Sequence, residues 1–384
     1  MKIGLHEPLF KGNEKKYLLD CIKTNWVSTS GKYLNLFEKK IKKITRSKYV
    51  VPVLNGTIGL HISLITLGVK NGDEVIVPSI TFIASVNSIN YVGARPIFMD
   101  VDKYLNLDEK KCIEFLQKHT FMKKNICHNK KTKKAIRAIV IVHTFGNAAK
   151  FDKLHNLCKK KNIKIIEDAA ESLGTKYTSK KFKNKHTGTI GELGVISFNG
   201  NKIVTSGNGG AVLTQDKKLY KKCRYLVFQA KDNNVNFIHN EVGYNYSLSN
   251  ISAALGTAQL EMLNSNLDKK NKINKFYSDS FLKVKGANIL QSPEYSKNNK
   301  WLNLLVLDKP LSKKTRAIFN SKTIQFRPIW YPNHLQKKYL HCQKFKINYA
   351  NKIFKKIICI PSGPNLRNSQ LKKICNFLKK ALND

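Results

Sequence analysis

Acidic residues are scarce in this 384-residue chain, where 25 Asp and Glu stand against 69 Lys and Arg and leave a formal net charge of +44. An excess of basic residues on this scale favours nucleic acid, an anionic membrane or an anionic substrate as a partner. The lysines are spread along the whole chain, however, and the densest run, at 130–134, lies between periodic segments. We therefore interpret the charge as surface composition, and this run as a solvated loop.

Several signatures of other protein classes are also absent. The eight cysteines are scattered without a C-x-x-C pair or Cys/His ligand spacing, which argues against a metal site. The opening MKIGLHEPLFKGNEKK has no apolar signal core, and no run approaches the roughly 18 apolar residues of a membrane span. There is no G-x-x-x-x-G-K-[ST] loop for a nucleoside triphosphate. We expect a cytoplasmic protein with free thiols and no membrane association.

The sequence does contain a regular alternation of short apolar strands and helical stretches through its first two thirds. Nearly continuous apolar strands of this kind predict an α/β fold with a mostly parallel sheet between two layers of helices. Longer amphipathic stretches begin near residue 265. We therefore predict a large domain at 1–260 and a smaller C-terminal α/β domain at 261–384.

The boundaries of the predicted elements follow from the spacing of the apolar residues. Helices are predicted at 13–24, 34–48, 57–67, 82–92, 151–161 and 260–283, and strands at 49–54, 74–78, 94–100, 138–142 and 163–168. The polar, lysine-rich segment at 118–135 is predicted to be a loop.

Three segments contain residues that could bind a ligand or take part in a reaction. Asn55-Gly56-Thr57 stands where a strand meets a helix, so its backbone N–H groups suit a phosphate, although an ordinary helix cap explains it equally well. Asp168 ends a predicted parallel strand, where ligands of α/β sheets collect; a strand-end cap or a metal ligand is the alternative. Lys202 lies in a polar segment between two apolar strands, where a lysine amine can act as a nucleophile toward an aldehyde.

Six sequence motifs are spread over nearly the whole chain, and their order is that of one known enzyme family. They are NGT, PSITFIASVNSINYVGARPIFMDVD, EDAAESLG, SFNGNKIVTSGNGGAVLT, GYNYSLSNISAALGTAQLE and RPIWYPNHLQ. Together they resemble the DegT/StrS family of nucleotide-sugar aminotransferases. The resemblance implies the type I fold of pyridoxal 5'-phosphate (PLP) enzymes, which is aspartate aminotransferase-like, and a transaminase that uses PLP.

The resemblance also assigns roles to residues that bind the cofactor. It implies that Lys202 carries PLP covalently and that Asp168 faces the pyridine nitrogen. Phe82 occupies the place of the aromatic residue that stacks on the ring. Glu171 matches a position near the ring hydroxyl that is often Gln or His elsewhere.

The remaining implied contacts concern the phosphate and the sugar. Gly56, Thr57 and Ser197 match positions that hold the phosphate, and Asn245 resembles a residue that reaches the cofactor of the neighbouring subunit, which implies a homodimer. Trp330 and His334 are candidates for the sugar site, with ordinary packing in the small domain as the alternative.

Two positions depart from the family pattern. Ile58, next to the phosphate turn and counted here among the cofactor-binding positions, is Ala in many relatives, and Ser247 is often Arg. Both departures leave the cofactor chemistry intact but put details of phosphate or substrate contact in doubt.

The implied reaction moves an amino group from L-glutamate to a keto sugar linked to UDP or GDP. The opening segment and RPIWYPNHLQ look closest to the branch acting on 4-keto-6-deoxy-N-acetylhexosamines, which serves bacillosamine and legionaminic acid pathways. The alternatives are a sugar dehydratase of the same family, which has His where this chain has Lys202, and a basic nucleic-acid-binding or regulatory protein. The sequence has no recognisable groove-binding helix pattern or RNA-binding motif, which argues against this last alternative.

Overall fold

The computed structural model describes residues 2–233 and 235–383. Its strands, in chain order, are β1 Tyr49–Val53, β2 Glu74–Pro78, β3 Arg95–Met99, β4 Thr120–Lys123, β5 Ile126–Asn129, β6 Ile136–Val142, β7 Lys164–Asp168, β8 Lys176–Tyr177, β9 Leu193–Ser197, β10 Gly210–Thr214, β11 Ala287–Ile289, β12 Ser296–Lys297, β13 Asn303–Leu307, β14 Arg327–Pro328, β15 Lys344–Phe345 and β16 Ile357–Ile360. Its α-helices are α1 Glu14–Lys23, α2 Lys32–Thr45, α3 Gly56–Thr66, α4 Ala84–Tyr91, α5 Glu109–Lys118, α6 Asp152–Lys160, α7 Lys217–Val227, α8 Asn250–Glu261, α9 Leu263–Phe281, α10 Lys313–Arg316, α11 Tyr349–Ile353 and α12 Asn368–Asn383.

The centre of the fold is an eight-stranded sheet in the order β1-β10-β9-β7-β6-β2-β3-β15. From β9 to β15 each strand runs parallel to its neighbours, whereas β10 pairs antiparallel with both β9 and β1. The prediction of a mostly parallel sheet is therefore confirmed.

The middle residues of the central strands are mostly apolar because these strands are covered on both faces. In β2, Val75 and Val77 enter one hydrophobic cluster, and Ile76 between them enters the cluster on the opposite face. In β3, Phe98 belongs to the first of these clusters and Ile97 to the second. Since successive side chains of a strand point to opposite faces, a strand between two helical layers loses the polar alternation of a half-exposed one.

The six predicted helices correspond to α1, α2, α3, α4, α6 and α9, with ends that differ by about three residues or fewer. Helix α8, which precedes α9, was not predicted separately. Its N-cap residue Ser249 accepts a hydrogen bond from the backbone N–H of Ser252, and Met262 divides it from α9.

The prediction of a loop at 118–135 was wrong. Thr120–Lys123 and Ile126–Asn129 form an antiparallel hairpin, in which Thr120 faces Asn129. Thr120, Cys127 and Asn129 are buried, and the Asn129 side chain donates a hydrogen bond to Glu74 at 2.8 Å. The exposed lysines around them concealed this short alternation of buried and exposed positions. The basic run at 130–134 follows the hairpin and is largely exposed, as expected.

The C-terminal part of the chain forms a separate antiparallel sheet in the order β11-β13-β16-β14. Helices α9 and α12 pack on it and share a hydrophobic cluster. Strand pairing joins this part to the rest at several places: β15 adds a parallel edge to the large sheet, β12 pairs with β8, and Ile3 forms a bridge with Ile324. The division into domains at 260/261 stays a prediction.

Within residues 2–233 and 235–383, no helix is long and apolar enough to cross a membrane. The same residues contain no group of three or more His, Cys, Asp and Glu side chains that could hold a metal ion. All eight cysteines are buried and unpaired.

Glu167, near the end of β7, is a buried carboxylate that joins three segments of the sheet. It accepts hydrogen bonds from the backbone N–H groups of Gly188, Ile190 and Gly191 at 2.5–2.9 Å, and His143 Nε2 lies 2.9 Å away. Burial raises the pKa of Glu167, but these hydrogen bonds outweigh burial and hold that pKa below its ordinary value.

We expect Glu167→Ala to lower the free energy of unfolding by about 3–5 kcal/mol, because it leaves buried donors without an acceptor. Urea titration of the cofactor-free protein measures this change. Glu114→Ala is the matched control, since Glu114 forms its ion pairs with Lys118 and Lys346 at the surface and its loss should change the unfolding midpoint little. Equal losses in both variants would contradict this account of Glu167.

Candidate active site

A cavity of about 530 Å³ lies where the carboxyl ends of several parallel strands meet. Val142, Asp168 and Ser197, the last residues of β6, β7 and β9, all line it. The N-terminus of α3 and residues of the C-terminal part close the remaining sides. This is the position at which ligands of open α/β sheets bind.

The N-terminus of α3 presents backbone N–H groups to the cavity. Asn55 caps the helix by accepting a hydrogen bond from the N–H of Ile58 at 2.9 Å, while Gly56 and Thr57 line the cavity. The first N–H groups of a helix have no partner within the helix, so they suit an anion. A Cβ on Gly56 would stand 3.1 Å from the Cβ of Ser197, and the glycine therefore brings the helix close to the serine hydroxyl.

Lys202 lies in the loop between β9 and β10, and its amine reaches the cavity. Its Nζ is 3.5 Å from Glu171 Oε1 and 4.1 Å from the centre of the Trp301 ring. The indole N–H of Trp301 donates a hydrogen bond to the backbone oxygen of Asn201 at 2.8 Å. Trp301 therefore contacts both the Lys202 amine and the backbone of the preceding residue.

Asp168 is fixed at the end of β7 by two hydrogen bonds. Ser85 Oγ donates to one carboxylate oxygen at 2.6 Å, and the N–H of Ala170 donates to the other at 3.1 Å. Thr81 Oγ1 lies 2.8 Å from the Ser85 hydroxyl and extends the network. The carboxylate is buried and borders the cavity, where it can accept a hydrogen bond from a ligand.

Glu171 is the second carboxylate of the cavity, and its environment differs from that of Asp168. Burial raises the pKa of Glu171 to about 7, opposed by Lys202 and by the Phe145 N–H, which donates to Oε2 at 2.8 Å. Near neutral pH this side chain therefore exchanges between its charged and neutral forms. It can hold or release a proton next to the Lys202 amine.

Aromatic rings form much of the remaining wall. Phe145 stacks on Trp330 with ring centres 4.3 Å apart and lies 6.1 Å from Trp301. Phe82 is 53% exposed and contacts Trp330 edge-on at 6.3 Å. These rings offer flat surfaces to a planar ligand.

The structure brings most of the predicted site residues together. The cavity is lined by Gly56, Thr57, Phe82, Asp168, Glu171, Ser197, Lys202 and Trp330. Three other predicted residues lie outside its walls. Ile58 contributes its N–H to the helix cap, Asn245 is exposed beside Phe228, and His334 is buried with Nε2 2.9 Å from Asn351. The role of His334 at the sugar site stays a prediction, and its geometry is that of packing.

Sequence reasoning missed Phe145, Trp301 and Arg327, which also line the cavity. Phe145 closely follows the end of β6, so the strand-end rule that singled out Asp168 could have found it. Arg327 stands in the quoted motif RPIWYPNHLQ but was passed over. Trp301 has no local signal, because its approach to Lys202 depends on tertiary packing.

The sequence profile of the DegT/DnrJ/EryC1/StrS aminotransferase family matches residues 8–379. The chain belongs to this family. It is 35% identical over 387 residues to GDP-perosamine synthase of Escherichia coli O157:H7, covering 100% of this chain and 99% of that protein. It is 29% identical over 360 residues to UDP-4-amino-4,6-dideoxy-N-acetyl-beta-L-altrosamine transaminase of Campylobacter jejuni strain 81-176, covering 90% and 89%.

Solved structures agree on the fold of this family member. A DegT/DnrJ/EryC1/StrS aminotransferase from Brucella abortus superposes with a TM-score of 0.86 at 24% identity, covering 96% of this chain and 95% of that one. The PLP form of the sugar aminotransferase Spr1654 from Streptococcus pneumoniae gives 0.85 at 20% identity, covering 100% and 99%. The predicted type I fold is confirmed.

The raised pKa of Glu171 makes stability depend on pH. Because the folded pKa lies above the ordinary value, the stabilisation is complete below about pH 4.5 and is lost as the pH rises through about 7. Relative to Glu171→Gln, we expect the cofactor-free protein to lose roughly 3 kcal/mol of unfolding free energy between these limits. Urea titrations at pH 5 and pH 8 measure this difference. Identical pH dependence of the two proteins would show that Glu171 titrates at its ordinary pKa.

Proposed function

We propose that this protein is a PLP-dependent aminotransferase that moves an amino group from L-glutamate to the keto group of a nucleotide-linked 4-keto-6-deoxy sugar. The observation that carries the proposal is the arrangement around one cavity of a lysine amine, a strand-end carboxylate and a helix N-terminus. Membership of the aminotransferase family and the nucleotide-sugar names of the relatives support it.

The residues of the cavity fit PLP. Gly56, Thr57 and Ser197 would hold its phosphate through N–H and hydroxyl groups, and Asp168 would accept a hydrogen bond from the protonated ring nitrogen. Phe82 would cover the ring, and the role of Glu171 near the ring hydroxyl stays a prediction. When bound, the cofactor supplies an electron sink for the charge that develops at the substrate carbon.

Two side chains of this protein would move or hold protons in the reaction. The Lys202 amine would take the proton from the α-carbon of the donor and deliver it to the carbon on the other side of the transferred nitrogen. Asp168, held by Ser85, would keep the ring nitrogen protonated. Since both half-reactions use the same groups, the donor and the sugar take turns in one cavity, and ping-pong kinetics follow.

The dehydratase of the same family remains the alternative. By the resemblance, those enzymes have His at the position of Lys202, so the lysine supports transamination. For the sugar, the sequence motifs favour an N-acetylated 4-keto-6-deoxyhexosamine of bacillosamine or legionaminic acid pathways. A GDP-linked sugar is the second candidate, because the GDP-perosamine synthase is more similar to this chain than the UDP-linked altrosamine transaminase.

We expect Lys202→Ala to abolish transamination while the protein still folds, because no other amine of the described cavity lining can replace it. The measurement is 2-oxoglutarate release from L-glutamate with candidate 4-keto sugars, alongside the visible absorbance after PLP loading. Lys297→Ala, at an exposed lysine outside the cavity, is the matched control and should retain full activity.

The same assay compares N-acetylated UDP sugars with GDP sugars and so separates the two substrate candidates. Activity that survives in Lys202→Ala, or wild-type protein that does not take up PLP, would contradict the proposed function. Turnover of 3-keto sugars alone would overturn the assignment to 4-keto sugars.

A homodimer with shared active sites completes the proposal. Asn245 is exposed and does not line its own cavity, and the chain segment that precedes it carries exposed apolar side chains such as Phe237, 67% exposed, and Val242, 80% exposed. Such apolar exposure is typical of a surface that another chain covers. We propose that Asn245 reaches the cofactor phosphate in the partner subunit.

Mixed dimers test the shared site. We expect Asn245→Ala to weaken PLP binding strongly, and Lys202→Ala to be inactive. Dissociating and reassociating an equal mixture of the two should restore about a quarter of wild-type activity, because half of the dimers are hybrids and each hybrid has one intact site. A monomer by sedimentation at assay concentrations, or no recovery on mixing, would contradict the shared site.

A further inference from the structure

Lys270, on helix α9, is a buried lysine that the proposed reaction does not use. Its side chain is fully buried, and among the described residues no carboxylate oxygen lies within 4.0 Å of its amine. A lysine amine without a counter-ion is costly to bury, and burial lowers the pKa of Lys270 well below its ordinary value. The contacts that its N–H groups make in return therefore indicate its role.

Both hydrogen-bond acceptors of Lys270 are backbone oxygens of the C-terminal part. Its Nζ donates to the oxygen of Trp301 at 2.6 Å and to the oxygen of Ser362. Trp301 lies shortly before β13, and Ser362 follows β16. Whether charged or neutral, the amine has at least two N–H donors, one for each carbonyl. Lys270 thus fastens helix α9 to two loops of the C-terminal sheet.

The backbone of Trp301 is held on its other side as well. Its N–H donates a hydrogen bond to Asn299 Oδ1 at 3.0 Å, and the Asn299 side chain donates to the backbone oxygen of Glu171 at 2.8 Å. Asn299 and Lys270 are both buried, so buried side chains bond both backbone polar groups of Trp301. The indole therefore projects from a fixed backbone.

This fixed indole reaches Lys202. Its ring centre lies 4.1 Å from the Lys202 amine, and its N–H donates to the backbone oxygen of Asn201 at 2.8 Å. A lysine amine on a flexible four-carbon stem can occupy many positions. An aromatic face attracts its cationic form and blocks the positions that overlap the ring. A chain of contacts therefore runs from Lys270 through Trp301 to the cavity.

We propose that Lys270 is a positioning residue, which holds Trp301 over the Lys202 amine by bonding the Trp301 carbonyl. The consequence for turnover rests on the proposed function, in which Lys202 moves a proton between two carbons. Such a transfer requires an amine placed to within about 1 Å. Lys270 thus influences the rate of proton transfer, although it does not line the cavity.

The first test follows Trp301 in the cofactor-free protein. Labelling with ¹⁵N-tryptophan gives indole N–H signals from Trp26, Trp301 and Trp330, and Trp301→Leu identifies its own by loss. Lys270→Met has a similar length and no donors. We expect it to accelerate hydrogen exchange of the Trp301 indole by roughly 5- to 30-fold, the factor for loss of one hydrogen bond. Lys272→Met, at an exposed position of the same helix, is the matched control and should exchange like wild type.

The second test is a double-mutant cycle on turnover of the PLP-loaded protein. Lys270→Met should lower kcat by about 10- to 100-fold and change the KM for L-glutamate by less than about threefold, because the amine is misplaced while substrate contacts remain. Adding Lys270→Met to Trp301→Leu should cause no further loss of kcat, since both changes remove the same contact with Lys202. Lys270→Gln keeps two N–H donors on a side chain one atom shorter and should recover part of the loss. If Lys270→Met does not fold, Lys270→Gln takes its place in both tests.

Three outcomes would contradict these proposals. Unchanged exchange of the Trp301 indole in a folded Lys270→Met protein would overturn the inference, whatever the activity. Additive losses of kcat in the cycle would also overturn it, because Lys270 would then act independently of Trp301, as a merely structural residue does. Wild-type protein that loads PLP but releases no 2-oxoglutarate from L-glutamate would overturn the proposed function, and indole exchange would still decide whether Lys270 holds Trp301.

Discussion

The close approach of helix α3 to strands β9 and β10 is the constraint on which the cavity depends. Three glycines make it possible: a Cβ on Gly59 would stand 2.7 Å from Val195, one on Gly56 3.1 Å from Ser197, and one on Gly210 2.6 Å from the backbone of Asn55. Any larger residue would push the helix away from the sheet. The N–H groups of its first turn would then no longer face the strand ends that carry Ser197 and Asp168.

The sequence predicted those parts of the site that are local. Apolar runs located the central strands, and strand ends then located Asp168 and the turn before α3, because the carboxyl ends of parallel strands share one edge. The hairpin at 120–129 escaped notice since exposed lysines diluted its alternation. The wall formed by the C-terminal part was predicted only at Trp330. Trp301 approaches Lys202, and Arg327 lines the same cavity, only through the docking of the C-terminal sheet, and no short-range pattern predicts that docking.

Glu167 and Glu171 show how far identical side chains diverge within one short segment. Both are buried, yet three backbone N–H groups and His143 hold the first in its charged form. The second has a single backbone donor and a lysine 3.5 Å away, so burial dominates and its pKa rises. Charge at neutral pH is therefore decided by the number of donors that each carboxylate meets, and the motif EDAAE alone does not reveal it.

The distribution of tryptophan gives this chain an optical property. Of its three tryptophans, Trp301 and Trp330 line the cavity and both stack near Phe145, whereas Trp26 is 55% exposed on the surface. Intrinsic fluorescence therefore originates largely from two indoles whose surroundings change whenever the cavity fills or empties. The third supplies a constant background, and occupancy becomes readable without any attached dye.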